Sequence, residues 1–259
     1  MSSYQAYVDD KAWLRDYDAY QDTYKVKPRK SDIDIAALIA KVARAQARTN
    51  KSGPIRLLDI GCSTGNLLRV IRAATVGLDM TFVGADLAES SIAQAKATPD
   101  LSEMRFELWD ATALPAGEKF DLVVMSAVAF FFSDDEFTRM LKSVRTCLNP
   151  GGSFIAWELV SELPDYRVDI EEWSPFYNGR SHLIQIRSLN MIESEAKRLG
   201  FKSVALHPFT PPVLGKPDVE HYLTSYTVDV PGEGRRAVRG CVILPWGFLV
   251  ASLEAVEAV

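Results

Sequence analysis

Arg56–Asn66 reads RLLDIGCSTGN, and the rest of the chain is organised around it. Leu57, Leu58 and Ile60 form a short apolar run, the pattern of a buried strand. Gly61 and Gly65 interrupt it, and Leu67, Leu68, Val70 and Ile71 then recur at helical spacing. Strand, glycine turn and helix, in that order, open a nucleotide-binding α/β unit. The physical need is close approach. Glycine at 61 and 65 lets the backbone press against a ligand, and the helix N-terminus offers its polar end.

Working outward, Thr81–Ala85 (TFVGA) predicts a second strand that ends at Asp86. That acid lies about 20 residues past the turn, where a ribose-binding carboxylate is expected. Side by side, the two strands put Asp86 next to the glycine turn, and its carboxylate can accept from both ribose hydroxyls. A helix over Glu89–Ala97 is stopped by Thr98-Pro99. Met104–Leu108 predicts a third strand, and Phe120–Ser126 (FDLVVMS), apolar on both faces, a central fourth. Ser133–Glu136 reads as a capping box, and Asn149–Gly152 stops the helix it starts. Ser153–Val160 predicts the fifth strand.

Upstream, Trp13, Tyr17, Tyr20 and Tyr24 share one helical face, and a second helix carries Ile35, Leu38, Ile39 and Val42. Residues 1–50 are therefore expected to form an N-terminal helical lid. Its plain reading is a helix packed by its aromatic face, and its sharper one a cover whose tyrosines touch ligand. The main domain is expected over 51–259. Within it, 161–187 is a polar, aromatic substrate-side insertion, and 188–199 a helix closed by Gly200. Lys202–His207 predicts a sixth strand, 221–244 a β-hairpin around Pro231–Gly234, and Trp246–Leu253 a last strand. Alternation of strand and helix implies an α/β fold, doubly wound around a mostly parallel sheet, with ligands at the strands' carboxyl ends.

Composition excludes several classes. At 259 residues with 47% hydrophobic and 24% charged content, the chain suits one large soluble domain or one domain with an appendage. A formal net charge of −5 gives no electrostatic reason to expect nucleic acid or an anionic membrane as partner. Cys62, Cys147 and Cys241 are scattered, which points to reduced thiols in a cytoplasmic protein, with neither a zinc site nor any other metal expected. No apolar run is long enough for a membrane span.

These motifs resemble those of class I S-adenosylmethionine-dependent methyltransferases. LLDIGCSTG resembles the family's first motif, VGADLAESSIAQAKA the second, FELWDAT the third, FDLVVMS the fourth, and LNPGGSFIAWE the turn and fifth strand. The resemblance implies a Rossmann-like, seven-stranded sheet whose last strand is antiparallel, with the 221–244 hairpin as an addition, for dimer contact or as a substrate wall. It implies S-adenosylmethionine as cofactor, S-adenosylhomocysteine as product, and no metal. Asp59, Gly61, Cys62, Ser63 and Gly65, then Asp86 and Leu87, then Trp109, Asp110 and Ala111, and finally Ser126 would form the cofactor site. Ser63 stands where the family usually has glycine, so its hydroxyl is expected to meet the cofactor or a nearby amide. A nicotinamide cofactor is the second candidate, but glycine is missing at the offsets that hug a pyrophosphate.

The acceptor is read less directly. A sulfonium methyl is transferred in line, so orientation supplies much of the rate, and an alcohol or protonated amine also needs a base. His182 and Glu158 are the base candidates. Tyr20, Tyr24, Phe130, Trp173, Tyr177 and Arg187 are the candidate acceptor contacts, for an aromatic or anionic molecule. The expected function is methylation of a small metabolite or natural product, with O or N favoured, by a protein that can form a homodimer. The alternatives are a protein or nucleic-acid methyltransferase, which needs an open groove, and a non-catalytic binding module.

Overall fold

The computed structural model describes residues 8–48, 53–163, 167–173, 181–213, 226–239 and 242–254. Its sheet is built on β1 (Ile55–Ile60), β2 (Met80–Asp86), β3 (Arg105–Leu108), β4 (Phe120–Ser126) and β5 (Leu148–Ser161). β8 (Ser203–Pro208) and β12 (Trp246–Ser252) complete the order β3-β2-β1-β4-β5-β12-β8. β1 lies parallel to β2 and β4, whereas β12 runs antiparallel to both β5 and β8. The order reverses between β1 and β4, so a crevice opens at their carboxyl ends.

Local chemistry explains the elements. Phe120 through Met125 of β4 are all buried, as a strand covered on both faces requires. Helices α2 (Lys30–Ala47), α3 (Asn66–Ala74) and α4 (Glu89–Ala97) cover one face, and α5 (Asp134–Cys147) and α6 (Leu189–Arg198) the other. α5 starts with the expected capping box: Ser133 N–H donates to Glu136 Oε2 at 2.8 Å, and Glu136 N–H to Ser133 Oγ at 3.3 Å. α2 buries Ile35, Ala36, Ile39 and Ala43 against Leu57, Leu68 and Ile155. It is thus a layer of the core rather than part of a lid, because its apolar stripe faces the sheet. Among the described helices, only α1 (Lys11–Asp22) sits over the crevice, through Leu14 and Tyr17.

Two segments differ from expectation. Within 161–187 the chain forms an antiparallel pair, β6 (Val168–Trp173) and β7 (Ser181–Ser188), and β7 joins the end of β5 through Val160 and Ser161. At the far end, β9 (Tyr226–Val230), β10 (Gly234–Arg239) and β11 (Val242–Leu244) form a separate three-stranded antiparallel sheet, one strand more than the expected hairpin. Among the described residues, no helix is long and apolar enough to cross a membrane.

Candidate cofactor and acceptor site

The turn after β1 is left-handed at Gly61 (φ 73°), Ser63 (φ 47°) and Gly65 (φ 84°). Three such residues in five fold the chain back so that its N–H groups face β2. Ser63 N–H donates to Asp86 Oδ2 at 2.8 Å, and Ala88 N–H to Asp86 Oδ1 at 2.9 Å. Burial pushes the Asp86 carboxyl up, and these backbone donors partly offset it. Each carboxylate oxygen keeps capacity for a further donor.

Asp86 faces a cavity of about 130 Å³. Its floor is Ile60, Gly61 and Ser63, one side is Leu87, Ala88, Ser91, Trp109 and Ala111, and the other is Ala127, Val128, Phe131 and Phe132. Val8, with Leu14 and Tyr17 of α1, forms the roof. α1 is fastened there by a carboxylate: Asp18, 4% exposed, accepts from Ser91 Oγ at 2.7 Å, Gln94 Nε2 at 2.9 Å and Ser90 Oγ at 3.2 Å. Asn66 Nδ2 donates to Gln21 O at 2.8 Å, tying the end of α1 to the start of α3. Leu14, Tyr17, Asp18 and Gln21 follow the i, i+3, i+4, i+7 pattern of one helical face. That pattern was the sequence signal for this roof; reading only the aromatic positions missed Leu14 and Asp18.

Among the described residues, several buried polar atoms at the ends of β1 and β4 have no hydrogen-bond partner: Asp59 Oδ2, Ser63 Oγ, Thr64 Oγ1 and Ser126 Oγ. Leaving such a group unpaired costs about 1–3 kcal/mol. Burial, with Asp86 and Asp32 nearby, pushes Asp59 well above the usual carboxylate range. A ligand with an ammonium would relieve both the orphaned oxygen and the crowded negative charge.

Residues 57–152 match the family model of the methyltransferase domain. Over those residues the chain carries a methyltransferase domain of the class I, S-adenosylmethionine-dependent type. It is 28% identical over 146 residues to the ubiquinone biosynthesis O-methyltransferase of Cereibacter sphaeroides, covering 55% of this chain and 57% of that protein. It is 29% identical over 169 residues to the non-reducing polyketide synthase tazA of Aspergillus terreus, covering 60% of this chain and 6% of that one. The chain thus spans little more than half the length of the first relative and a small part of the second. Among solved structures, the DhpI-SAM-HEP complex superposes with a TM-score of 0.55 at 17% identity, covering 96% of this chain and 95% of that one. That likeness is one of fold.

S-adenosylmethionine carries an ammonium, a carboxylate and two ribose hydroxyls, so the orphaned oxygens and the spare capacity of Asp86 fit it. Other residues on the methyltransferase motifs are placed differently. Cys62 is buried in the core, its Sγ directed to Ser63 O at 3.6 Å, and burial pushes its thiol well up. A Cβ at Gly65 would lie 2.7 Å from Leu101 Cδ1, and one at Gly61 2.5 Å from Val128 Cγ2. Glycine at both is demanded by the protein's own packing, rather than by ligand approach alone. Asp110 Oδ1 accepts from Thr112 N–H at 2.7 Å and Thr112 Oγ1 at 2.8 Å, capping the short turn that carries Ala111.

The acceptor-side candidates need more correction. Glu158, a base candidate, is 6% exposed, its carboxylate bound to backbone N–H groups of the loop after β4 and absent from the lining of the cavity beside Asp86. Arg187, 3% exposed, is likewise spent on that loop rather than open to an anionic acceptor. Phe130 packs on Trp246 and Phe131, with ring centroids 5.6 and 4.0 Å away; its neighbours Phe131 and Phe132 reach the cavity instead. Tyr24 Oη donates to Tyr20 Oη at 2.8 Å, and of the aromatic face it is Tyr17 that lines the cavity. Trp173 and His182 pair in β6 and β7 with Ser181 and Glu172; their side chains, and Tyr177, lie outside the described residues. Among the described residues, no cluster of His, Cys, Asp or Glu could hold a metal ion.

Proposed function

We propose that this chain transfers a methyl group from S-adenosylmethionine to a small molecule. The observation that carries the reading is the roofed cavity beside Asp86: α1 closes over it, which suits a small acceptor better than a polymer. When bound, S-adenosylmethionine supplies an electrophilic methyl on its sulfonium. The chain's residues bind and orient. Asp86 would accept from the ribose hydroxyls, Leu87, Trp109 and Ala111 would wall the adenine, and Asp59, Ser63 and Ser126, whose unpaired oxygens lie at the ends of β1 and β4, would meet the methionine end. Val128, Phe131 and Phe132 exclude water from the wall that follows β4, which keeps the polar contacts strong. An oxygen or nitrogen acceptor is favoured, with His182 of β7 as the candidate base where the acceptor carries a proton. The O-methyltransferase relative supports oxygen.

The test is transfer of label from methyl-labelled S-adenosylmethionine to a cell extract split into small-molecule and macromolecular fractions, with Asp86→Ala as control. Label in a small-molecule product, absent with the variant, supports the proposal. Label confined to protein or nucleic acid overturns it.

A further inference from the structure

β4 leaves the sheet at Ser126, and the next residue, Ala127, is left-handed at φ 58°. A residue with a Cβ adopts that conformation only where its surroundings hold it. Ala127 N–H donates to Trp157 O at 2.8 Å. The next three N–H groups all turn to one side chain. Val128 and Ala129 donate to Glu158 Oε1 at 2.8 and 2.7 Å, and Phe130 to Glu158 Oε2 at 3.2 Å. This is a backbone nest closed by an internal carboxylate. The carbonyls of the same loop turn to a second side chain: Arg187 Nη1 donates to Ala129 O at 3.0 Å, and Nη2 to Phe132 O. Arg187 is itself fixed by the Gln185 side chain, by Asp134 Oδ1 at 3.2 Å, and by the Phe137 ring beneath it at 4.6 Å.

Glu158 directs both carboxylate oxygens to the amides of the loop and has no face on the cavity beside Asp86. The opposite side of the loop does. Val128, Phe131 and Phe132 line the cavity, and Val128 lies against Gly61 of the glycine turn. Resting on the methyltransferase reading, we infer that Glu158 and Arg187 are a positioning pair: they hold loop 127–132 from its N–H and its C=O sides, and thereby place the cavity wall against the cofactor. Neither residue touches the reacting atoms. Both act through the backbone between them.

The test uses S-adenosylhomocysteine as probe, titrated by calorimetry, with thermal unfolding of each variant alongside. Glu158→Gln keeps the shape but exchanges one acceptor oxygen for a donor that opposes an N–H. Its affinity for the probe should fall about ten-fold, the scale of one charge-assisted hydrogen bond. Phe201→Leu, a core change outside the cavity lining, should lower the unfolding temperature and leave the affinity unchanged. Glu158→Asp, charged but a methylene shorter, should fall between wild type and Glu158→Gln. The inference is overturned if Glu158→Gln binds like wild type, or if Phe201→Leu loses affinity in proportion to its stability. It is also overturned if neither Glu158 variant folds, since the residue would then serve the fold and not the wall. Failure of the wild-type protein to bind the probe at all is a different result, and it overturns the proposed function.

Discussion

At the end of β2 a carboxylate accepts two backbone N–H groups, and near the end of β5 another accepts three. Burial pushes both upward, Glu158 to about 7. Yet Asp86 looks into a cavity and Glu158 into a loop. What separates them is what closes around each. The turn that Asp86 binds is held open by left-handed residues and roofed by a separate helix. The loop that Glu158 binds wraps the carboxylate itself and shows its other side to the cavity. The same residue chemistry thus faces open space in one region and the protein's own backbone in the other.

The largest effect that could break this contrast is at Asp86. Asp86→Ala should weaken S-adenosylhomocysteine about 100-fold, from two lost hydrogen bonds to a charged group, or ~3 kcal/mol by calorimetric titration. Equal losses from Asp86→Ala and Glu158→Gln would erase the distinction. Gly61→Ala probes the seam between the two regions. Its Cβ would meet Val128 Cγ2 at 2.5 Å. Thermal or urea unfolding should register a loss of about 2 kcal/mol, the scale of core overpacking plus a disfavoured φ. Val128→Ala in the same chain should recover part of it.

A pH series sharpens the contrast further. The Glu158 carboxyl rises from 4.5 to about 7 in the fold. Between those values the folded protein keeps a proton that the unfolded chain releases. This group therefore makes stability fall as pH rises from about 4.5 to 7, by at most about 1.4 kcal/mol per pH unit. Urea unfolding across that window should be flatter for Glu158→Gln than for wild type. The smallest effect is at the roof. Asp18→Ala removes three hydrogen bonds between α1 and α4, and should loosen α1 locally while global unfolding of the sheet changes little. Limited proteolysis should then cut within α1 faster, while fragments from the sheet stay intact.

Much of the first region was legible in the sequence. α4 spans the expected Glu89–Ala97 because its apolar spacing and its Thr98-Pro99 stop are both local. Asp86 was legible because strand length and turn length fix where it emerges. The second region depends on contacts distant in sequence. β6 and β7 exist as strands because they pair with each other and with an extended β5, which composition within 161–187 does not reveal. Glu158 and Arg187 were legible as functional residue types, but not the direction they face. Glu158 meets amides 28–30 residues upstream, and Arg187 carbonyls 55–58 residues upstream. Phe130, Phe131 and Phe132 were legible as one apolar run, and the short turn at Ala129–Phe131 decides which of them reach the cavity.

The roof has a consequence for synthesis. Asp18 bonds to Gln94, 76 positions later in the chain. At about 5–20 residues per second, a ribosome needs roughly 4–15 s to bridge that interval. Through it α1, with an apolar face and a carboxylate awaiting partners, is made before the helix that fastens it. The helix that closes the cavity is translated before the elements that fasten it and can settle only after β2 and α4 are in place. A chain arrested before α4 emerges would hold the glycine turn but no cover, and a nascent-chain crosslink between positions 18 and 91 would time the closing.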